Sequence, residues 1–94
     1  MANVIARVEL HSASETDYKT LHSSMESEGF TRVVLASDNL WYHLPTGTYV
    51  HYSVTSPGDG RDRAARAAAT TKRSSWIFVG GWDGLWAGHA LPRA

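Results

Sequence analysis

The chain predicts one α+β domain spanning residues 1–94, with its elements in the order β-α-β-β-α-β. Three observations carry that prediction. An apolar alternation with a period of two opens the sequence, and further β-prone runs follow it. Two stretches with helical spacing lie between strands, each entered behind a serine. Glycine, proline, asparagine and aspartate cluster at the junctions. Ninety-four residues are enough for one hydrophobic core and too few for two.

The first strand is the clearest element. Val4, Ala6, Val8 and Leu10 alternate with Asn3, Ile5, Arg7 and Glu9, so the even positions form the core face. Ser14 with Asp17 then makes a capping-box-like start, and acidic residues in the first turn suit the helix dipole. Tyr18, Leu21, His22 and Met25 recur at helical spacing and Gly29 stops the helix, which gives residues 15–28. His22 lies in line with the apolar stripe and is expected to pack.

Phe30 to Ala36 predicts a second strand and Leu40 to Leu44 a third, joined through Ser37-Asp38-Asn39 as a hairpin. Residues 49–54 are again β-prone, either continuing the third strand past a bulge or forming a separate strand. Ser56-Pro57 with Asp59 opens a second helix that runs to about Thr71. Its buried side is expected to be Ala64, Ala65 and Ala68. Ser75 to Val79 is the fourth main strand, and Gly80 to Gly84 turns into a short C-terminal hairpin at Leu85-Trp86-Ala87. Two β-α-β units joined by a hairpin suggest a ferredoxin-like sandwich, with both helices on one face of an antiparallel sheet and the other face open.

Nine basic and nine acidic residues balance, so bulk charge favours neither nucleic-acid binding nor a highly acidic mimic of it. The hydrophobic content of 43% fits a folded domain and argues against disorder. With no cysteine, disulfides and thiolate metal sites are excluded. The opening residues break their apolar stretch with Arg7 and Glu9, unlike a signal peptide, and no run is long enough for a membrane span. The expectation is a cytoplasmic protein with no membrane partner.

Candidate chemistry is local. Arg61, Arg63, Arg66, Lys72 and Arg73 form a basic ridge against one acid, Asp62, either a phosphate-binding surface or a solvated helix face. On the open sheet face the alternation places Arg7, Glu9, Arg32, Tyr49, His51, Trp76 and Phe78. Arginines beside exposed rings suit single-stranded RNA, because bases stack on rings while guanidinium groups hold phosphate. The same residues suit a homodimer interface. Five histidines lack metal-ligand spacing, so no metal and no cofactor is expected. His51 and His11 are the candidates for acid–base work on a ribose 2′-hydroxyl, with Glu9 orienting or assisting. No nucleophile elbow, phosphate loop or dinucleotide fingerprint is present.

The runs Arg7-Val8-Glu9-Leu10-His11, Asp17-Tyr18-Lys19-Thr20-Leu21-His22 with Met25-Glu26, and Gly29-Phe30-Thr31-Arg32 resemble the type V toxin–antitoxin antitoxins, the GhoS-like family. Tyr42-His43-Leu44-Pro45 with Tyr49, the alanine-rich Ala64 to Thr71 and Ser74 to Val79 extend the likeness over nearly the whole chain. The resemblance implies a Cas2-like ferredoxin fold and an endoribonuclease that acts on the messenger of a membrane toxin. Cas2-like nucleases place an acidic residue with a divalent metal at the end of the first strand. Here that place offers Glu9 and His11, with no aspartate before Asp17. No catalytic residue is carried over from the family. Two functions therefore compete: an endoribonuclease antitoxin acting on single-stranded RNA through Arg7, Arg32, Tyr49, Arg63, Arg66 and Arg73, or a non-catalytic phage- or mobile-element-encoded protein that binds and inhibits a bacterial defence complex.

Overall fold

The computed structural model describes residues 2–94. The elements run β1 (Ala2–Leu10), α1 (Glu15–Ser27), β2 (Val33–Leu35), β3 (Trp41–His43), β4 (Thr48–Val54), α2 (Pro57–Ala69) and β5 (Ser75–Gly81). β4, β1 and β5 form an antiparallel sheet in that order, and β2 pairs with β3 as a separate hairpin.

β1 is central, paired along both edges, and its period of two separates the two faces of the sheet. Val4, Ala6, Val8 and Leu10 are buried, while Ile5, Arg7 and Glu9 are exposed. Leu21 and Met25 of α1 and Ala64, Ala67 and Ala68 of α2 join those even residues in one core with Phe30, Tyr49 and Val54. Both helices therefore cover the same side of the sheet. α2 approaches closely because small residues face it inward: a Cβ on Gly60 would lie 3.1 Å from Val4 Cγ2 and 3.2 Å from Val79 Cγ1.

Both helix starts follow their sequence signals. The Asp17 N–H donates to Ser14 Oγ at 3.2 Å, and the Ser14 N–H donates back to the Asp17 carboxylate at 2.9 Å. The Asp59 N–H donates to Ser56 Oγ at 3.1 Å, with Pro57 at the first helical position. Each such cap contributes about 1 kcal/mol.

Of the two readings open for residues 49–54, the separate strand is the one found: they lie in β4, which pairs with β1. Several expectations are corrected. The second strand keeps only Val33–Leu35, because Phe30 turns into the core and Thr31 forms a lone bridge to Val50. Ala65 is exposed and Ala67 takes its place in the core, as the 100° step of the helix dictates. No strand forms at residues 85–87. The Trp86 indole N–H reaches the Leu35 carbonyl at 3.3 Å instead, and Arg93 bridges to Tyr42 beside β3. Among the described residues no helix is long and apolar enough to cross a membrane.

Candidate functional site

Sheet pairing decides which predicted site residues share a face. In the β1–β5 ladder Arg7 lies opposite Phe78 and Glu9 opposite Trp76. All four project from the side away from the helices. Trp76 is 71% and Phe78 74% exposed, unusually open for rings of this size. With Ile77 they bound a shallow depression of about 330 Å³. Arg7 lies along the strand, its guanidinium donating to the Val8 carbonyl at 3.2 Å beside Gly47.

His11 continues this face past the end of β1. Its ring meets Trp76 edge-on, with centroids 4.7 Å apart. Nδ1 lies 3.2 Å from Ser74 Oγ, and Nε2 lies 3.5 Å from a Glu9 carboxylate oxygen. That separation is too long for a hydrogen bond, so Nε2 is a shielded ring nitrogen with no partner. Glu9, His11 and Trp76 thus form one cluster at the end of the face carrying Phe78 and Arg7. Ser74 is the member that sequence reasoning missed; only its position just before a strand paired with β1 could have pointed to it.

Three other residues expected on this face lie elsewhere. Tyr49 pairs with Ala6 and His51 with Val4, so both share the core parity of β1. Tyr49 is fully buried and His51 nearly so. His51 Nδ1 accepts the Ser53 N–H at 3.1 Å, so Nε2 carries the proton and donates to the Glu28 carbonyl at 3.0 Å. Both nitrogens are committed to backbone groups, and the ring packs edge-on against Phe30. That is a structural histidine, not an acid–base group facing RNA. Arg32, two residues from the core residue Phe30, also turns away from the open face. Its charge acts on His22 and Tyr49, and its Nε is buried without a hydrogen-bond partner.

The His22–Tyr49 pair has a defined protonation state. Burial, followed by the charge of Arg32, lowers the His22 pKa, and burial raises that of Tyr49. The phenol therefore stays protonated and shares a hydrogen bond of 2.6 Å with Nδ1 of neutral His22. For His22 the folded pKa lies below the unfolded one, so below pH ~6.5 the unfolded chain binds the extra proton and stability falls with pH. For Tyr49 the unfolded phenol ionises first, so stability falls again above pH ~10. Urea unfolding from pH 5 to 11 is expected to show both losses. Tyr49→Phe should shrink the alkaline one, to which the raised phenols of Tyr52 and Tyr42 also contribute, and cost about 1–2 kcal/mol at neutral pH by leaving the imidazole nitrogen unpaired. An unchanged alkaline limb in that variant would refute the assignment.

The basic ridge is largely neutralised. Arg66 bonds Glu28 at 3.0 Å, Arg73 bonds Asp17 at 2.9 Å, Arg63 bonds Asp59 at 3.2 Å and Arg61 bonds Asp62 at 3.0 Å. The carboxylates respond: Glu28 is held below its ordinary pKa chiefly by Arg66, Asp17 chiefly by the Ser14 N–H and Asp59 chiefly by the Thr55 N–H. Arg66 and Arg73 thus tie the helices and their flanks together on the side opposite Trp76 and Phe78, while Arg63 pairs within α2.

A second concavity of about 650 Å³ separates the β2–β3 hairpin from the C-terminal segment, lined in part by Leu35, Asp38, Tyr42, Trp86 and Leu91. Its polar wall is internally satisfied, since the Tyr42 O–H donates to Asp38 at 2.8 Å. Among the described residues no group of three or more His, Asp or Glu side chains converges as metal ligands do. No protein-family model matches the chain, and no curated protein sequence matches it either.

Proposed function

We propose that the helix-free face of the sheet binds single-stranded RNA, with Trp76 and Phe78 as the stacking rings and Arg7 as the phosphate contact. The observation that carries this reading is the pair of rings at alternate positions of β5, both exposed by more than two thirds, with a guanidinium on the neighbouring strand. Successive bases stack on successive rings of such a sheet, and any base supplies a π-face. The fold we assign to this platform is the ferredoxin-like sandwich, with the Thr31–Val50 bridge bringing the hairpin side of the chain to the free edge of β4.

Cleavage is assigned to His11. A base that stacks on Trp76 turns the indole from its edge-on contact and uncovers Nε2. That nitrogen takes the proton of a ribose 2′-hydroxyl. The 2′-oxygen then bonds to phosphorus, the bond to the 5′-oxygen breaks, and the departing oxygen takes a proton from water. The products are a 2′,3′-cyclic phosphate and a 5′-hydroxyl. Glu9 is a positioning residue that steadies the imidazolium as it forms. The chemistry fits an endoribonuclease antitoxin of the GhoS-like kind.

One observation favours a second reading, in which the same face docks on a protein of a bacterial defence system. Four arginines of the ridge are paired with acids, which removes most of the electrostatic attraction that RNA binding draws on. Titration of labelled single-stranded RNA at rising salt separates the two. The RNA reading expects affinity to fall with salt, with a slope that drops by about 1 in Arg7→Ala. Failure to bind any single-stranded RNA at low salt would sink it and leave the protein-docking face.

A further inference from the structure

β5 is the outer strand of its sheet. It pairs with β1 along one side, and among the described residues no backbone hydrogen bond reaches its other side. Natural edge strands usually carry a charge, a proline or a bulge that stops another strand from adding. The sequence Ser75-Trp76-Ile77-Phe78-Val79-Gly80-Gly81 has no charge and no proline, and its pairing with β1 runs without a register shift.

The direction of its free hydrogen-bonding groups follows from the ladder. The His11 N–H donates to the Ser74 carbonyl at 2.9 Å, and the Trp82 N–H donates to the Asn3 carbonyl at 3.0 Å. In an antiparallel pair such bonded residues alternate with unbonded ones. Trp76, Phe78 and Gly80 therefore direct their backbone groups to β1, and Ser75, Ile77, Val79 and Gly81 direct theirs outward.

We infer that β5 pairs antiparallel with β5 of a second copy of this chain, across a twofold axis at Phe78. This register alone engages all seven residues. It sets Ile77 opposite Val79 and Ser75 opposite Gly81 of the other copy, and these are the residues whose N–H and C=O groups face outward, so each pair exchanges both bonds. The unbonded positions come closer together, and there the side chains fit by size. Trp76 meets Gly80, whose face is bare: a Cβ there would touch only Phe78, at 3.8 Å. A large ring over a cross-strand glycine is a recognised way to fix a register. Phe78 meets Phe78.

The area is adequate for a reversible pair. A seven-residue strand is about 24 Å long. With two rings per copy at the junction, burial is on the order of 1,000 Å², the lower end for specific interfaces. The joined sheets would present both copies' rings and Arg7 on one continuous face. The dimer itself does not depend on what that face binds.

The chain has no cysteine, so engineered thiols report the register directly. Under mild oxidation Phe78→Cys is expected to form a covalent dimer of twice 10.3 kDa. Trp76→Cys alone should remain uncrosslinked, while Trp76→Cys mixed with Gly80→Cys should crosslink. Light scattering of the unmodified protein should show mass rising with concentration between about 10 µM and 1 mM. Gly80→Lys, which sets a charge against Trp76 of the other copy, should weaken the dimer at least about tenfold. A monomer throughout that range, or Trp76→Cys crosslinking as readily as Phe78→Cys, would overturn the inference.

Discussion

Removing both rings of the open face, in a Trp76→Ala, Phe78→Ala double variant, is expected to weaken single-stranded RNA binding by at least about 30-fold. Each stacked base contributes ~1–3 kcal/mol, so two contribute at least ~2 kcal/mol. Both rings are more than two thirds exposed, so their removal should alter folding stability by only about 0.5 kcal/mol. That contrast makes the measurement decisive: fluorescence anisotropy must change while the urea midpoint barely moves. Tyr49 is the control. It is also an aromatic of the sheet, but it points into the core, so Tyr49→Phe should leave RNA affinity alone. Equal affinity in the double variant would remove the platform. His11→Ala tests the second half of the proposal. Cleavage should fall by about 10²–10⁴ while binding is kept, and excess chelator should not reproduce that loss.

The open face was legible in the sequence where one strand alternates cleanly. β1 separates apolar from charged positions, so Arg7, Glu9 and, one step further, His11 could be placed from residue types alone. β5 inherits that parity through its pairing, and Trp76 and Phe78 fall where expected. β4 offers no such guide. Thr48, Tyr49, His51 and Tyr52 are all semi-polar, and the one apolar residue in that run, Val50, is fully buried on the face opposite the helices. With both sides of β4 partly covered, only the partner's register assigns Tyr49 and His51 to the core. The pairing of the basic ridge was hidden for a different reason. Arg66 meets Glu28 and Arg73 meets Asp17 across long separations in sequence, and a local count of charges cannot detect acids that folding brings in. The C-terminal tryptophans are legible as surplus and not as geometry. The Trp82 indole donates to its own turn at Leu85, and the Trp86 indole to Leu35, so neither needs a strand to be satisfied.

Gly29→Ala is expected to be strongly destabilising, because it joins two costs. Gly29 follows the end of α1 with φ +93°, where an L side chain is strained. The Phe30 N–H returns to the Met25 carbonyl at 3.0 Å and the Gly29 N–H to Glu26 at 2.9 Å, so the chain cannot relax without opening the helix end. A Cβ there would also run into Nε2 of His51, which is held between Glu28 and Ser53 and packed against Phe30. The combined cost is about 3 kcal/mol, a fall of roughly 12–24 °C in Tm for a domain of this size. Gly84→Ala separates the two contributions. Its φ is +89°, but open space surrounds the new methyl group, so only the backbone cost of about 1 kcal/mol remains. The two variants should therefore differ by about 2 kcal/mol in urea unfolding. Equal losses would mean that the His51 ring yields freely, and a histidine that yields so easily would return to contention as a mobile acid–base group.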